Sequence, residues 1–202
     1  MEANDWRWLI VVESPQIPTR GNLLWSGEHW LAYLQSPETK HECGMVSLYH
    51  AYASPAGSGT AAFVQIQVAD GFTGLCTDNE SFARFVKETQ VTSSAPYDVE
   101  MPFVEGQFQK SGNVLERPTW TIRAKGRVVE ISWWELQSPL VGPPTLNPRI
   151  VFTILVFAEK SSIKLDGMFV DGTPYPRDVW TKSLGMPMSS CVFALAETMI
   201  RA

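Results

Sequence analysis

The sequence predicts an all-β protein, an antiparallel barrel or sandwich of about eight to ten strands with one covering helix at residues 79–90. Three observations carry this. Most of the chain alternates apolar and polar residues with a period of two, the pattern of half-buried strands. Gly, Pro, Asn and Asp turn signals recur every roughly eight to fifteen residues. One segment alone, NESFARFVKETQ, combines helix start signals with a clear helical stripe.

Taken in order, WRWLIVVE (residues 6–13) and HWLAYLQS (29–36) are strand candidates bounded by PQIPTRG and SPET. CGMVSLYHAYA (43–53) is β-rich and runs into the turn SPAGSG. In FVQIQVAD (63–70), Val64, Ile66 and Val68 share one face and Gln65 and Gln67 the other, so these two segments read as a hairpin. In the helix, Asp78 or Asn79 serves as cap, Glu80 lies in the first turn, and Phe82, Phe85 and Val86 form an i, i+3, i+4 stripe. Its place is over an outer face or an open end of the sheet.

The segment TWTIRAKGRVVEISWWEL (119–136) is a second hairpin with Lys125 and Gly126 as its two-residue loop. Ala124 then faces Arg127, Ile122 faces Val129 and Trp120 faces Ile131. Trp120, Ile122, Val129, Ile131 and Trp133 form one apolar surface, expected to point inward. After the proline-rich loop PLVGPPTLNP, residues 149–159 are apolar on both faces, as in a strand covered on both sides, with a helix as one candidate outer cover. AEKSS interrupts, and SIKLDGMFVDG gives two short β pieces about an Asp-Gly turn. The stretch SCVFALAETMIRA stays open between a C-terminal helix and a last strand: Val192, Leu195, Ala196 and Met199 fit a helical stripe and would also fit a strand.

No repeat or linker divides the 202 residues, so one β-barrel domain over 1–202 is expected, with a weak seam at 91–100. A formal net charge of −5 and no run of Lys or Arg argue against nucleic-acid binding. The three cysteines, Cys43, Cys76 and Cys191, form no CxxC pair and fit a reduced cytoplasmic setting. The N-terminus lacks a secretory pattern. The longest apolar run, residues 150–158, is too short to span a bilayer as a helix, which needs about 20 residues. A soluble, cytoplasmic protein with no membrane span is expected.

No GxSxG, GxGxxG, P-loop or HExxH motif is present, and no cofactor is implied. His41 and Cys43 have HxC spacing, but no second cluster completes a ligand set, so no metal is expected. His50, between Tyr49 and Tyr52, is the better candidate for a working imidazole, set against an ordinary hydrogen-bonded histidine. Arg123 and Glu130 are diagonal neighbours on the polar side of the second hairpin: a surface pair, or a clamp if that side lines a cavity. Glu135 follows Trp133 on the apolar side at the end of the strand, where a rim carboxyl would act as acid or base. The eight tryptophans are more than packing ordinarily asks for. Trp25, Trp30, Tyr33, Trp120, Ile122 and Trp133 are the candidate lining of a pocket for an apolar small molecule.

Up-and-down strands, an aromatic inner face and a covering helix resemble the lipocalin-like, or calycin, architecture. Where lipocalins carry Gly-x-Trp near the first strand, this chain reads DWRWL. LDGMFVDGTPYP followed by CVFALAETMI is similar to the last strands of bacterial lipocalin-like proteins that bind or act on terpenoid and lipid-like molecules. The resemblance implies a lipocalin-like barrel and carries over no residue role. Two functions are expected from it and from the residues. One is binding of an apolar, lipid- or terpenoid-like molecule in an aromatic-lined cavity. The other is a cofactor-free enzyme, an isomerase, cyclase or hydratase, using His50, Glu135, Arg123 and Glu130 on such a molecule.

Overall fold

The computed structural model describes residues 23–89, 100–142, 145–146 and 149–201. The strand expected over 6–13 lies outside them, as does the seam at 91–100 apart from residue 100. Nine strands close into a ring: β1 (Leu23–Gln35), β2 (Glu42–Ala53), β3 (Gly59–Ile66), β4 (Phe72–Thr77), β5 (Phe103–Ser111), β6 (Thr119–Ala124), β7 (Arg127–Leu136), β10 (Arg149–Leu165) and β14 (Val192–Arg201). They follow chain order from β1 to β7, and β10 then β14 lead back to β1. Short strands β8 (Leu140–Val141) and β9 (Thr145–Leu146) pair with β10, as does β11 (Met168–Phe169), while β12 (Pro176–Arg177) and β13 (Met188–Ser189) form a small separate ladder.

The ring is antiparallel except at one seam, where β4 and β5 run parallel with Leu75 opposite Phe103. An odd number of strands cannot close with antiparallel pairs alone, so a nine-stranded ring needs such a seam. A parallel pair needs a crossover, and helix α1 (Glu80–Thr89) lies within it. Asn79 caps α1, its Oδ1 accepting from the Phe82 amide at 3.1 Å. Phe82, Ala83 and Val86 are buried against Tyr49, Phe63 and Leu75 on the outer face of β2, β3 and β4.

Alternation places the core. On β1, Trp30, Ala32 and Leu34 point into the ring, while Trp25 and Tyr33 belong to the cluster on the outer face. The second hairpin has the expected register, with Ala124 opposite Arg127, Ile122 opposite Val129 and Trp120 opposite Ile131. Lys125 (φ 50) and Gly126 (φ 72) take the left-handed conformations that a tight two-residue turn requires. All five residues of its apolar face are buried in the interior cluster.

Several expectations change. β3 ends at Ile66, leaving Val68 exposed beyond the ladder, and its outer side is apolar too, through Ala61 and Phe63. β10 runs on through AEKSS, because it changes partner there: Arg149–Phe157 pairs with β14 and Ala158–Leu165 with β7. On its outer face Leu155 and Phe157 are covered by a helix, α2 (Val179–Leu184), whose Trp180 ring meets Phe157 at 5.2 Å. The C-terminal stretch is a strand, not a helix. It carries a β-bulge at Leu195–Ala196, opposite Glu28 on β1 and Ile154 on β10. The extra residue reverses the alternation, so Phe193 points inward while Glu197 and Met199 point outward.

Candidate functional site

The strand registers bring the end of β2, the start of β3 and the end of β5 to the same mouth of the barrel. Below it, aromatic rings fill the lumen. Trp30 stacks on Phe193 at 4.3 Å between ring centres and meets Trp133 at 5.2 Å and Trp120 at 6.2 Å. All four are nearly or wholly inaccessible, so at this level the barrel is packed.

Above the rings sits a charged group on the inward side of β1. Glu28 is only 6% exposed. It accepts hydrogen bonds from Trp30 Nε1 (2.9 Å), from the Tyr52 hydroxyl (2.5 Å), and from Lys110 Nζ at 2.9 and 2.8 Å to its two oxygens. β1 and β5 are not neighbours in the ring, so this ion pair spans the lumen. The Lys110 ammonium also lies 4.9 Å from the Trp30 ring centre. Beside the bridge, His50 meets Trp120 at 5.6 Å and its Nδ1 is 3.0 Å from Thr60 Oγ1. Burial holds the His50 imidazole below its usual range and Lys110 adds to this, against the pull of Glu28 and Asp78. Burial, and then the bond to Glu28, push the Tyr52 phenol up.

On the other side of the mouth lies a cleft of about 230 Å³, lined by Val114 and Leu115 of the β5–β6 loop, Leu136 at the end of β7 with Gln137, Ser138 and Pro139 after it, Ile154 and Val156 of β10, and the bulge residues Leu195 and Ala196. Val114, Leu136 and Leu195 pack against the interior core cluster to which the aromatic rings belong. The cleft is therefore a mostly apolar recess continuous with the core.

A second polar group crosses the outer face of four adjacent strands. His29 Nε2 is 3.3 Å from Ser47 Oγ, and its Nδ1 is 3.7 Å from Glu197 Oε1. The His29 ring stacks on Tyr49 at 4.1 Å, and Thr153 and Trp25 adjoin Glu197. Burial lowers the His29 imidazole to about 3 and raises the Glu197 carboxyl to about 7. The pair thus holds one proton between those values. The order serine, histidine, carboxylate is that of a nucleophilic triad, but Ser47 is wholly inaccessible and lies mid-strand.

The residues singled out from the sequence are scattered. His50 joins the mouth group. Arg123 is exposed near the opposite mouth, in a shallow basin with Lys125 and Arg127. Glu130 meets Lys164 at 3.4 Å instead of Arg123. Glu135 does not stay on the inner side: its φ of 53 turns it outward to Lys160 at 2.7 Å. Trp30, Trp120, Ile122 and Trp133 come together in the lumen, while Trp25 and Tyr33 lie across the sheet from them. None of the six lines the cleft. Glu28, Tyr52, Lys110, His29 and Glu197 were missed. Glu28 carries a readable signal, a charge at the inward phase of a strand whose Trp30, Ala32 and Leu34 are core.

Comparison of the chain with protein-family models, with curated proteins and with solved structures found no match. No helix among the described residues is long and apolar enough to cross a membrane.

Proposed function

We propose that this protein binds an apolar small molecule, lipid-like or terpenoid-like, at the barrel mouth. The observation that carries the reading is the mostly apolar cleft whose lining residues pack against the interior core. Its size supports a short molecule or one end of a longer one. About 230 Å³ is below the roughly 300–1,000 Å³ of drug-sized sites and matches roughly eight water-sized atoms at about 30 Å³ each. The resemblance of the strand pattern to lipocalin-like proteins points the same way. Titration with Nile red, a neutral environment-sensitive dye, tests it. Saturable binding with energy transfer from the tryptophans is expected, and Leu195→Trp, which fills the cleft, should abolish it. Absence of binding to the wild type would sink the proposal.

The second reading, a cofactor-free isomerase, cyclase or hydratase, is favoured by one arrangement: His50 stands beside the Glu28–Lys110 pair at the same mouth. It predicts that His50→Gln abolishes turnover and leaves dye affinity within about tenfold. Unchanged turnover in that variant would remove His50 from any mechanism.

A further inference from the structure

The binding reading above leaves the chemistry of the ligand's polar end open, and the mouth group speaks to it. We infer that the site selects a neutral oxygen head group, the hydroxyl or carbonyl of a short amphiphile, over a carboxylate or an ammonium. The inference rests on the proposed cleft being the seat of the apolar tail.

Hydrogen-bonding capacity at the mouth is the first argument. Lys110 has three N–H donors, and the contacts to Glu28 occupy two. Trp120 Nε1 is buried and has no hydrogen-bond partner among the described residues. Both groups adjoin the Trp30 ring, and Val114, which lines the cleft, follows Lys110 by four residues and packs on the same cluster. Across the mouth, the bulge residues Leu195 and Ala196 that line the cleft lie opposite Glu28, the partner of Lys110. The Lys110 N–H that Glu28 does not take and the buried Trp120 Nε1 suit an oxygen acceptor reaching over from that recess.

Charge decides which oxygen. Glu28 and Lys110 already balance one another, and Asp78, bonded to the Thr60 amide, adds a further negative charge in reach of His50. A carboxylate head would give a balanced, partly buried pair a net negative charge, and an ammonium would give it a net positive one beside Lys110. A hydroxyl or carbonyl accepts from the same donors and adds no charge.

The test is displacement of Nile red from the whole protein at pH 7.5 by octan-1-ol, octan-2-one, octanoate and octylamine. The alcohol and the ketone are expected to bind at least tenfold tighter than both ions. In Glu28→Gln the Lys110 charge is no longer balanced, and octanoate should gain at least tenfold relative to octan-1-ol. Asp78→Asn, a milder change at the chain's surface, should narrow the gap in the same direction. Octanoate equal to or tighter than octan-1-ol on the wild type would overturn the inference, whatever the variants do. Dye that binds but yields to none of the four would overturn it and spare the binding reading, whereas failure of the dye itself to bind removes both.

Discussion

Replacing Glu197 by glutamine should tilt a pH profile that the wild type holds level. In the folded protein His29 takes up a proton only near about 3 and Glu197 releases its own near about 7, against ordinary values of 6.5 and 4.5. The raised carboxyl contributes stability that is full below 4.5 and lost as pH rises to about 7. The lowered imidazole contributes stability that is full above 6.5 and lost as pH falls towards about 3. Between 4.5 and 6.5 the folded pair binds one proton and the unfolded pair binds one, so the two slopes cancel. Glu197→Gln removes the first slope and leaves the second, about 1.4 kcal/mol per pH unit. Over the interval from pH 6.5 to 4.5 the variant should therefore lose about 3 kcal/mol relative to the wild type. Urea denaturation at half-unit steps of pH measures this, and taking the difference between the two proteins cancels the titration of every other group. Curves that stay parallel to within about 0.5 kcal/mol would refute the reasoning. They would show the Glu197 carboxyl titrating near its ordinary value, with no raised pKa for the substitution to remove.

Two further outcomes concern the fold. Trp133 is inaccessible, packs on Trp30 and Phe193, and donates from Nε1 to the Leu31 carbonyl at 2.9 Å. Trp133→Ala should cost about 3–5 kcal/mol by leaving a cavity in the lumen, read as a lowered urea midpoint. Asn79→Ala removes the α1 cap and should cost about 1 kcal/mol, lowering Tm with the near-ultraviolet signal of the folded core unchanged.

The second hairpin was legible residue by residue because both its strands alternate strictly and its turn is two residues long. Register then follows from arithmetic. The C-terminal strand was ambiguous for a definite reason. Its bulge inserts one residue into a period of two, and Val192, Leu195, Ala196 and Met199 then fall at i, i+3, i+4 and i+7, the spacing of a helix. Glu135 defeated the same logic by a single positive φ. The site was less legible than the fold. Ser47, His29, Glu197 and Thr153 sit on four strands, and Glu28 reaches Lys110 across 82 residues of sequence. Periodicity tells which face a residue takes but not which strand lies beside it.

The place of β14 in the ring bears on how the chain is made. It is the last of the nine ring strands in sequence, yet it sits between β1, the first, and β10. A ribosome must release residues as far as Arg201 before those two strands find their shared neighbour. Until then each presents a long unpaired edge, the template on which strands from other chains add. Loss of the last ten ring residues would leave the lumen slit from end to end, with Trp30 open to water where Phe193 had covered it. Premature termination here should yield insoluble protein in place of a folded barrel.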